Sequence, residues 1–332
     1  MTVTYDYRAE AQQKQAECML CALKTELATA DCRLYLLVDP VSLPDEVLHP
    51  LVSALVALHP IPVRLPHHAL AAQSYPWLLP LDMADEAQAA LLRLSIDYAL
   101  KELHPQRLAQ GEGRAICGWL TSPYDAATVA RQLGETAIQK LPDNSSILLR
   151  YYDPAVHSVL WNHVDELQQQ RWLGVLSAWV YPCGDGQVVI HKHKSATYPH
   201  LTFSLMLGAE DAVLIARTGR INRTLETYRN KNRMSERHDE VSAGEIVKAA
   251  LERADSQHGF TQEYDQQALA LDCLKWHPQL DMHHHMRTLL TREERPDHAR
   301  YTTCVKQLDD HIRQRMCDEL ACATPPHPRC AY

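Results

Sequence analysis

Over the first two hundred residues, short apolar runs alternate with helical spacings. Residues 33–39 (RLYLLVD), 62–65, 77–81, 114–120 (RAICGWL), 146–152 (SILLRYY), 175–181 and 187–192 read as strands. The run at 146–152 is almost continuously apolar, as expected of a strand covered on both faces. Between the strands, residues 9–29, 45–58, 85–103, 124–140 and 155–170 place apolar side chains at helical intervals. Strands alternating with helices predict an α/β domain with a mostly parallel sheet flanked by helices. Gly184-Asp185-Gly186 between the last two strands predicts an antiparallel edge hairpin. From about residue 203 only helical spacings occur. Ser242 with Glu245 reads as a capping box, Thr261 as the cap of a helix over 262–276, and 301–320 as one helix. The expected organisation is an α/β domain over 1–202, an all-helical C-terminal lobe over 203–322 and a disordered tail over 323–332, where three prolines interrupt any period.

Charge sharpens this division. The net charge of −8 falls on residues 1–214, with 15 basic and 23 acidic side chains, while 215–332 carry 18 of each. Neither part is basic, which argues against a general nucleic-acid binder. The longest apolar stretch, 51–63, is broken by His59, Pro60 and Pro62 and is too short to span a bilayer. The first residues lack a basic stretch followed by an apolar run. Together these predict a soluble cytoplasmic protein without membrane insertion. Its ten cysteines then read as free thiols. Cys18 and Cys21 form a C-x-x-C inside a helical segment with no second pair at metal spacing, so packing is their expected role.

Several residues could carry chemistry. Asp39, Asp82 and Asp153 lie at strand ends, where an open parallel sheet binds ligands, and could serve a metal-dependent hydrolase or phosphotransferase. Asp39 and Asp153 precede proline, however, and Asp153-Pro154 suits a helix cap followed by the first helical position. Ser122-Pro123 with Asp125 repeats the pattern. No phosphate-binding glycine loop and no G-x-S-x-G elbow is present. His191 and His193 alternate onto one side of a strand and are the better metal pair, because the consecutive His283, His284 and His285 point apart on a helix. The expectation is no catalytic residue, no cofactor and no metal. The segment 217–237 holds seven Lys/Arg and two Glu, and reads as a solvated helix face, a surface for an acidic partner or, less simply, an RNA contact. Arg217, Arg220, Arg223, Arg229, Lys231 and Arg233 are its candidate partner-binding residues.

The stretch 120–186 carries a resemblance. Arg150, Tyr151, Tyr152, Asp153, Pro154 and Val156 match the R-[FY]-Y-D-P-R-V-like segment of the adaptor (effector-chaperone) family of bacterial type VI secretion. Leu173, Gly174, Val175 and Trp179 match a later element loosely, and Leu36-Leu37-Val38-Asp39 with Pro76-Trp77-Leu78 resemble the family's opening strands. The chain departs at Ala155, where Arg is common, and lacks the usual Pro after Leu-Gly. The likeness covers about 33–192. It implies a non-catalytic adaptor that binds the N-terminal region of an effector toxin and the C-terminal region of a VgrG spike, and helps load one onto the other. The matching residues are structural ones.

Overall fold

The computed structural model describes residues 7–28, 32–44, 49–67, 71–194, 203–290 and 300–323. The chain forms two compact units, Met1–Thr218 and Gly219–Tyr332. The tail expected over 323–332 lies, but for its first residue, outside the described residues.

The first unit contains helix α1 (Tyr7–Ala28), strand β1 (Arg33–Val38), α2 (Pro50–Ala57), β2 (Ile61–Pro62), β3 (Trp77–Leu81), α3 (Glu86–Glu102), α4 (Pro105–Ala109) and β4 (Ile116–Ser122). It continues with α5 (Ala126–Thr136), β5 (Ile138–Lys140), β6 (Ser146–Leu148), α6 (Pro154–Trp161), α7 (Glu166–Leu173), β7 (Ala178–Pro182) and β8 (Val188–Lys192). Among the described residues, six strands form one sheet in the order β2-β3-β1-β4-β7-β8. Every neighbouring pair in it is antiparallel. The mostly parallel sheet expected from the sequence is therefore wrong. The physical reason lies in the order. β3 and β4 are both antiparallel to β1, so they are parallel to each other, and α3 does connect two parallel strands. β1 sits between them, which turns each contact antiparallel. A βαβ pattern gives the relative direction of two strands but not whether a third lies between them.

The expected edge hairpin does form. Tyr181 pairs with Val189, and Gly186, at φ 78°, donates its N–H to the Cys183 carbonyl in the turn. The segment 146–152 does not join the main sheet. Only Ser146–Leu148 is strand, and it pairs with β5 in a two-stranded ribbon. Its remaining apolar residues, Leu149, Tyr151 and Tyr152, are buried beyond the strand, the tyrosines in a turn, so their apolar character reflects packing and not strand pairing.

Strand alternation gives the sheet two different faces. Leu34, Leu36 and Val38 of β1, Leu79 and Leu81 of β3, Trp119 and Val180 pack with Met19, Leu23, Leu51, Leu55, Leu91, Leu92 and Ile96 from α1–α3. This face is aliphatic apart from Trp77 at its margin and Trp119, whose indole N–H donates to Ser95 Oγ at 3.0 Å. The other face carries Trp179 and Tyr181 beneath α6 and α7. Gly118 permits this, because at φ 139° a Cβ would stand 2.6 Å from Trp179 Nε1 and 2.8 Å from the Val180 carbonyl oxygen. Gly134 on α5 is tighter still, with a Cβ 2.1 Å from the Arg64 carbonyl oxygen. Gly134→Ala should force helix and loop apart and cost about 1–3 kcal/mol, read as a lower urea midpoint at unchanged slope. An unaltered midpoint would mean the helix can shift freely there.

Helix α8 (Ala209–Lys231) contains the boundary between the units. Beyond it lie α9 (Glu240–Ser256), α10 (Glu263–Lys275), α11 (His284–Leu290), α12 (Tyr301–Cys304) and α13 (Asp310–Ala323). The cap of α9 is Asp239, which accepts the Ser242 N–H at 3.0 Å, so the helix begins ahead of the expected Ser242 box. The helix expected over 301–320 is two helices. Asp309 Oδ1 accepts the Ile312 N–H at 2.8 Å and restarts the chain as α13. Tyr301 ties α12 to α10, its N–H donating to Asp265 and its hydroxyl to Asp272, both at 2.8 Å.

Candidate functional site

The motif residues 150–156 occupy the turn from β6 into α6. Asp153 caps α6 by accepting the Ala155 N–H at 2.9 Å, with Pro154 at the first helical position. Arg150 reaches across to the end of β1. Its Nη2 lies 2.6 Å from Asp39 Oδ2 and 3.5 Å from Asp153 Oδ2. Asp39 also accepts the Val41 N–H at 3.1 Å, so it is both a cap and one end of this bridge. Its carboxylate is only 5% exposed, whereas Arg150 is 45% exposed. Burial pushes the Asp39 carboxyl above the usual range, although Arg150 and the Val41 N–H pull the other way. Burial also opposes the Arg150 charge, but Asp153 and Asp39 outweigh it and hold the guanidinium firmly protonated. The network links two segments 111 residues apart. Cys117 lies within its field, and burial and the nearby carboxylates push its thiol well up.

The three carboxylates of the hydrolase reading do not meet. Val38 pairs with Trp77 and Leu34 with Leu81, so Asp39 and Asp82 follow opposite ends of an antiparallel pair. Six residues of strand put about 20 Å between them. Asp82 instead caps its own turn, accepting the Ala84 N–H at 2.9 Å. The Ser122 expectation also changes in detail. Asp125 is the cap of α5, accepting the Thr128 N–H, while Ser122 Oγ donates to the Val175 carbonyl at 2.7 Å.

Tyr151 points into a nest of rings that single-element reasoning missed. Tyr151 meets Trp172 edge-on at 5.2 Å and Trp179 at 5.9 Å. His157 lies at the centre, 1% exposed, within 5.4 Å of the rings of Trp161, Trp172, Trp179, Tyr181 and His191. Among the described residues, neither imidazole nitrogen of His157 has a hydrogen-bond partner, and Trp172 Nε1 also lacks one. Burial, reinforced by His191, pushes the His157 pKa far down. His191 and His193 do share a side of the hairpin, but His191 faces this nest. It stacks on Trp161 at 3.9 Å, and its Nε2 lies 3.2 Å from the Tyr181 hydroxyl. Burial lowers its pKa to about 4. Alternation along the hairpin, which puts Trp179, Tyr181 and His191 on one side, was the signal available in the sequence.

The basic segment is partly spent on its own fold. Arg229 is buried and paired with Glu240 at 2.8 Å. Arg223 pairs with Glu263, and Arg220 donates to Gln266. Arg217 is half-buried, whereas Lys231 and Arg233 are exposed. The charge run thus holds α8 to α9 and α10 within the second unit and leaves its outward charge near the end of α8. Cys18 and Cys21 are both exposed on α1, so the packing role expected for them is wrong for these side chains. No described helix is long and apolar enough to cross a membrane.

Residues 34–171 match a protein family described as a domain of unknown function (DUF4123). The match runs from β1 to α7, takes in the Asp39–Arg150–Asp153 network, and stops short of Trp179. No curated protein and no solved structure matches the chain.

Proposed function

We propose that this protein is a type VI secretion adaptor that holds a toxic effector in the cytoplasm and helps load it onto a VgrG spike, without catalysing a reaction. The observation that carries the reading is the family match over 34–171, which falls on the segment bearing Arg150–Pro154. That family is known as a type VI secretion adaptor or chaperone domain.

The motif itself acts as a scaffold under this reading. Tyr151 and Tyr152 are buried, Asp39 is buried, and Arg150 is engaged by two carboxylates. Partner contact then belongs to exposed residues. In the first unit, Leu167 is 53% and Met206 61% exposed. Gln168, which follows Leu167 on α7, donates to the Met206 carbonyl at 3.3 Å, so α7 and the segment at Met206 are neighbours. Met206 takes φ 54°, a conformation that costs a non-glycine residue about 1–2 kcal/mol. A strained, exposed methionine and an exposed leucine on the neighbouring helix suit an adaptable apolar contact with an effector segment. In the second unit, Lys231 and Arg233 supply the outward charge for an acidic one.

Co-expression of the full chain with the effector and spike encoded beside it, followed by affinity capture and size-exclusion chromatography, tests the proposal. The expected result is a stable complex with the effector's N-terminal region and with the spike's C-terminal region. Met206→Glu should weaken effector capture at least tenfold, and Lys231→Glu/Arg233→Glu severalfold with a steeper loss in salt. Absence of any complex with either protein would overturn the reading.

A further inference from the structure

We infer that His283, His284 and Glu319 form a binding site for a divalent transition-metal ion, zinc in the first instance. This does not depend on the adaptor reading. Among the described residues, these three offer ligand atoms that all lie within 4.8 Å of one another. Two imidazoles and one carboxylate are a donor set that zinc accepts with three protein ligands and water in the fourth position.

Two adjacent histidines converge here because His283 is not helical. It ends the short turn over Leu280–Met282 with φ −58° and ψ 139°, and α11 starts only at His284. The expectation that consecutive histidines diverge holds inside a helix and fails at its entrance. The two rings lie 4.3 Å apart. His283 is 6% exposed and fixed, with Nε2 2.9 Å from Glu319 Oε2. His284 is exposed and Glu319 is half exposed, so both can swing inward. That movement is needed. Bonds of about 2.0–2.2 Å in a tetrahedron put ligand atoms about 3.4 Å apart.

The ion-free arrangement shows what binding replaces. The His285 N–H donates to His283 Nδ1 at 3.3 Å, which leaves the ring proton on Nε2, facing Glu319. When Nε2 binds the ion, that proton moves to Nδ1 through solvent and the weak His285 contact is given up. Arg315, 3.8 Å from the other Glu319 oxygen, exchanges a surface ion pair for open solvent, a small loss. In return the ion clamps α13 to the start of α11, across 36 residues of chain. A link between distant segments that exists only in the folded chain stabilises it in proportion to ion occupancy.

The test uses the full chain, stripped with chelator and titrated with zinc by calorimetry and native mass spectrometry. The expected result is one ion of high affinity per chain and a raised melting temperature. His284→Ala/Glu319→Gln alters exposed side chains and should leave the circular dichroism unchanged while weakening that ion at least tenfold and abolishing the thermal shift. His285→Ala, beside the site but outside it, should leave both as they were. Failure to retain zinc, or the same affinity and stoichiometry in His284→Ala/Glu319→Gln, would overturn the assignment. The second result would place the ion elsewhere, for instance on the exposed Cys18 and Cys21.

Discussion

Unfolding followed by tryptophan fluorescence should show the first unit losing about 1.4 kcal/mol of stability per pH unit from pH 6.5 to 4.5. Five of the six tryptophans lie in that unit, so the signal reports on it. The cause is the aromatic nest. Burial lowers the pKa of His157 well below 6.5 and that of His191 to about 4. Both groups are protonated near 6.5 once unfolded, so the unfolded chain binds more protons throughout this window and acid favours it. Each costs the fold at most about 1.4 kcal/mol per pH unit as pH falls below 6.5, and nothing above it, where both states are neutral.

Glu102 acts in the opposite direction. Its carboxyl is buried at the end of α3, accepting the Ala115 N–H at 2.6 Å and the Ile116 N–H at 3.2 Å. Burial raises its pKa to about 7 despite those bonds. The folded chain therefore holds this proton between about 4.5 and 7 while the unfolded chain releases it, which stabilises the fold in acid. Two histidines against Glu102 leave about one histidine's slope, trimmed at the acid end of the window by Asp39, whose carboxyl burial also raises. His157→Phe should thus nearly flatten the profile. It should also leave stability at pH 7.5 equal or higher, because it removes two unpartnered nitrogens from an apolar nest. A flat profile in the unaltered protein, or an unchanged slope in His157→Phe, would contradict this account.

Arg253→Met should cost the second unit about 3–5 kcal/mol, the penalty for taking the two-pronged cationic partner from a buried carboxylate. Asp281 is 1% exposed. Arg253 grips it with Nε at 2.8 Å and Nη2 at 2.7 Å, and His258 Nε2 lies 3.0 Å away. Burial works against the carboxylate, but the hydrogen bonds from His258 and Arg253 prevail and hold its pKa at about 2. Arg253 Nη2 also donates to the Pro278 carbonyl at 2.8 Å, tying α9 to the loop after α10. Far-UV circular dichroism during urea unfolding measures the loss, since this unit is helical. Arg253→Met/Asp281→Leu should recover much of it, because no buried charge is then left alone. A loss below about 1 kcal/mol in the single variant would show that His258 or entering water suffices for Asp281 once Arg253 is gone.

Local chemistry was legible in the sequence wherever a residue acts within its own turn. Asp39 and Asp153 cap as their Pro-bearing turns predicted, and the hairpin turn ends at Gly186. The strands at 33–38 and 77–81 lie where the short apolar runs predicted them. The same reasoning misplaced Tyr151 and Tyr152 in a strand, because burial by a helix and burial in a sheet leave one apolar signature. It also split the histidines wrongly. His191, read as a ligand candidate, entered a ring nest, and His283, read as helical, stands before its helix beside Glu319.

Sequence alone determined the local elements and the turn residues that stop and start them, since these depend on forces acting over a few residues. Tertiary structure decided which strands are neighbours, and so that the sheet is antiparallel. It also decided that Arg150 reaches Asp39 across 111 residues, that Asp82 stands at the other end of the strands, and that His283 faces Glu319. Those pairings arise when separate elements pack their apolar faces together. Nothing in the local period of a chain records which faces will meet.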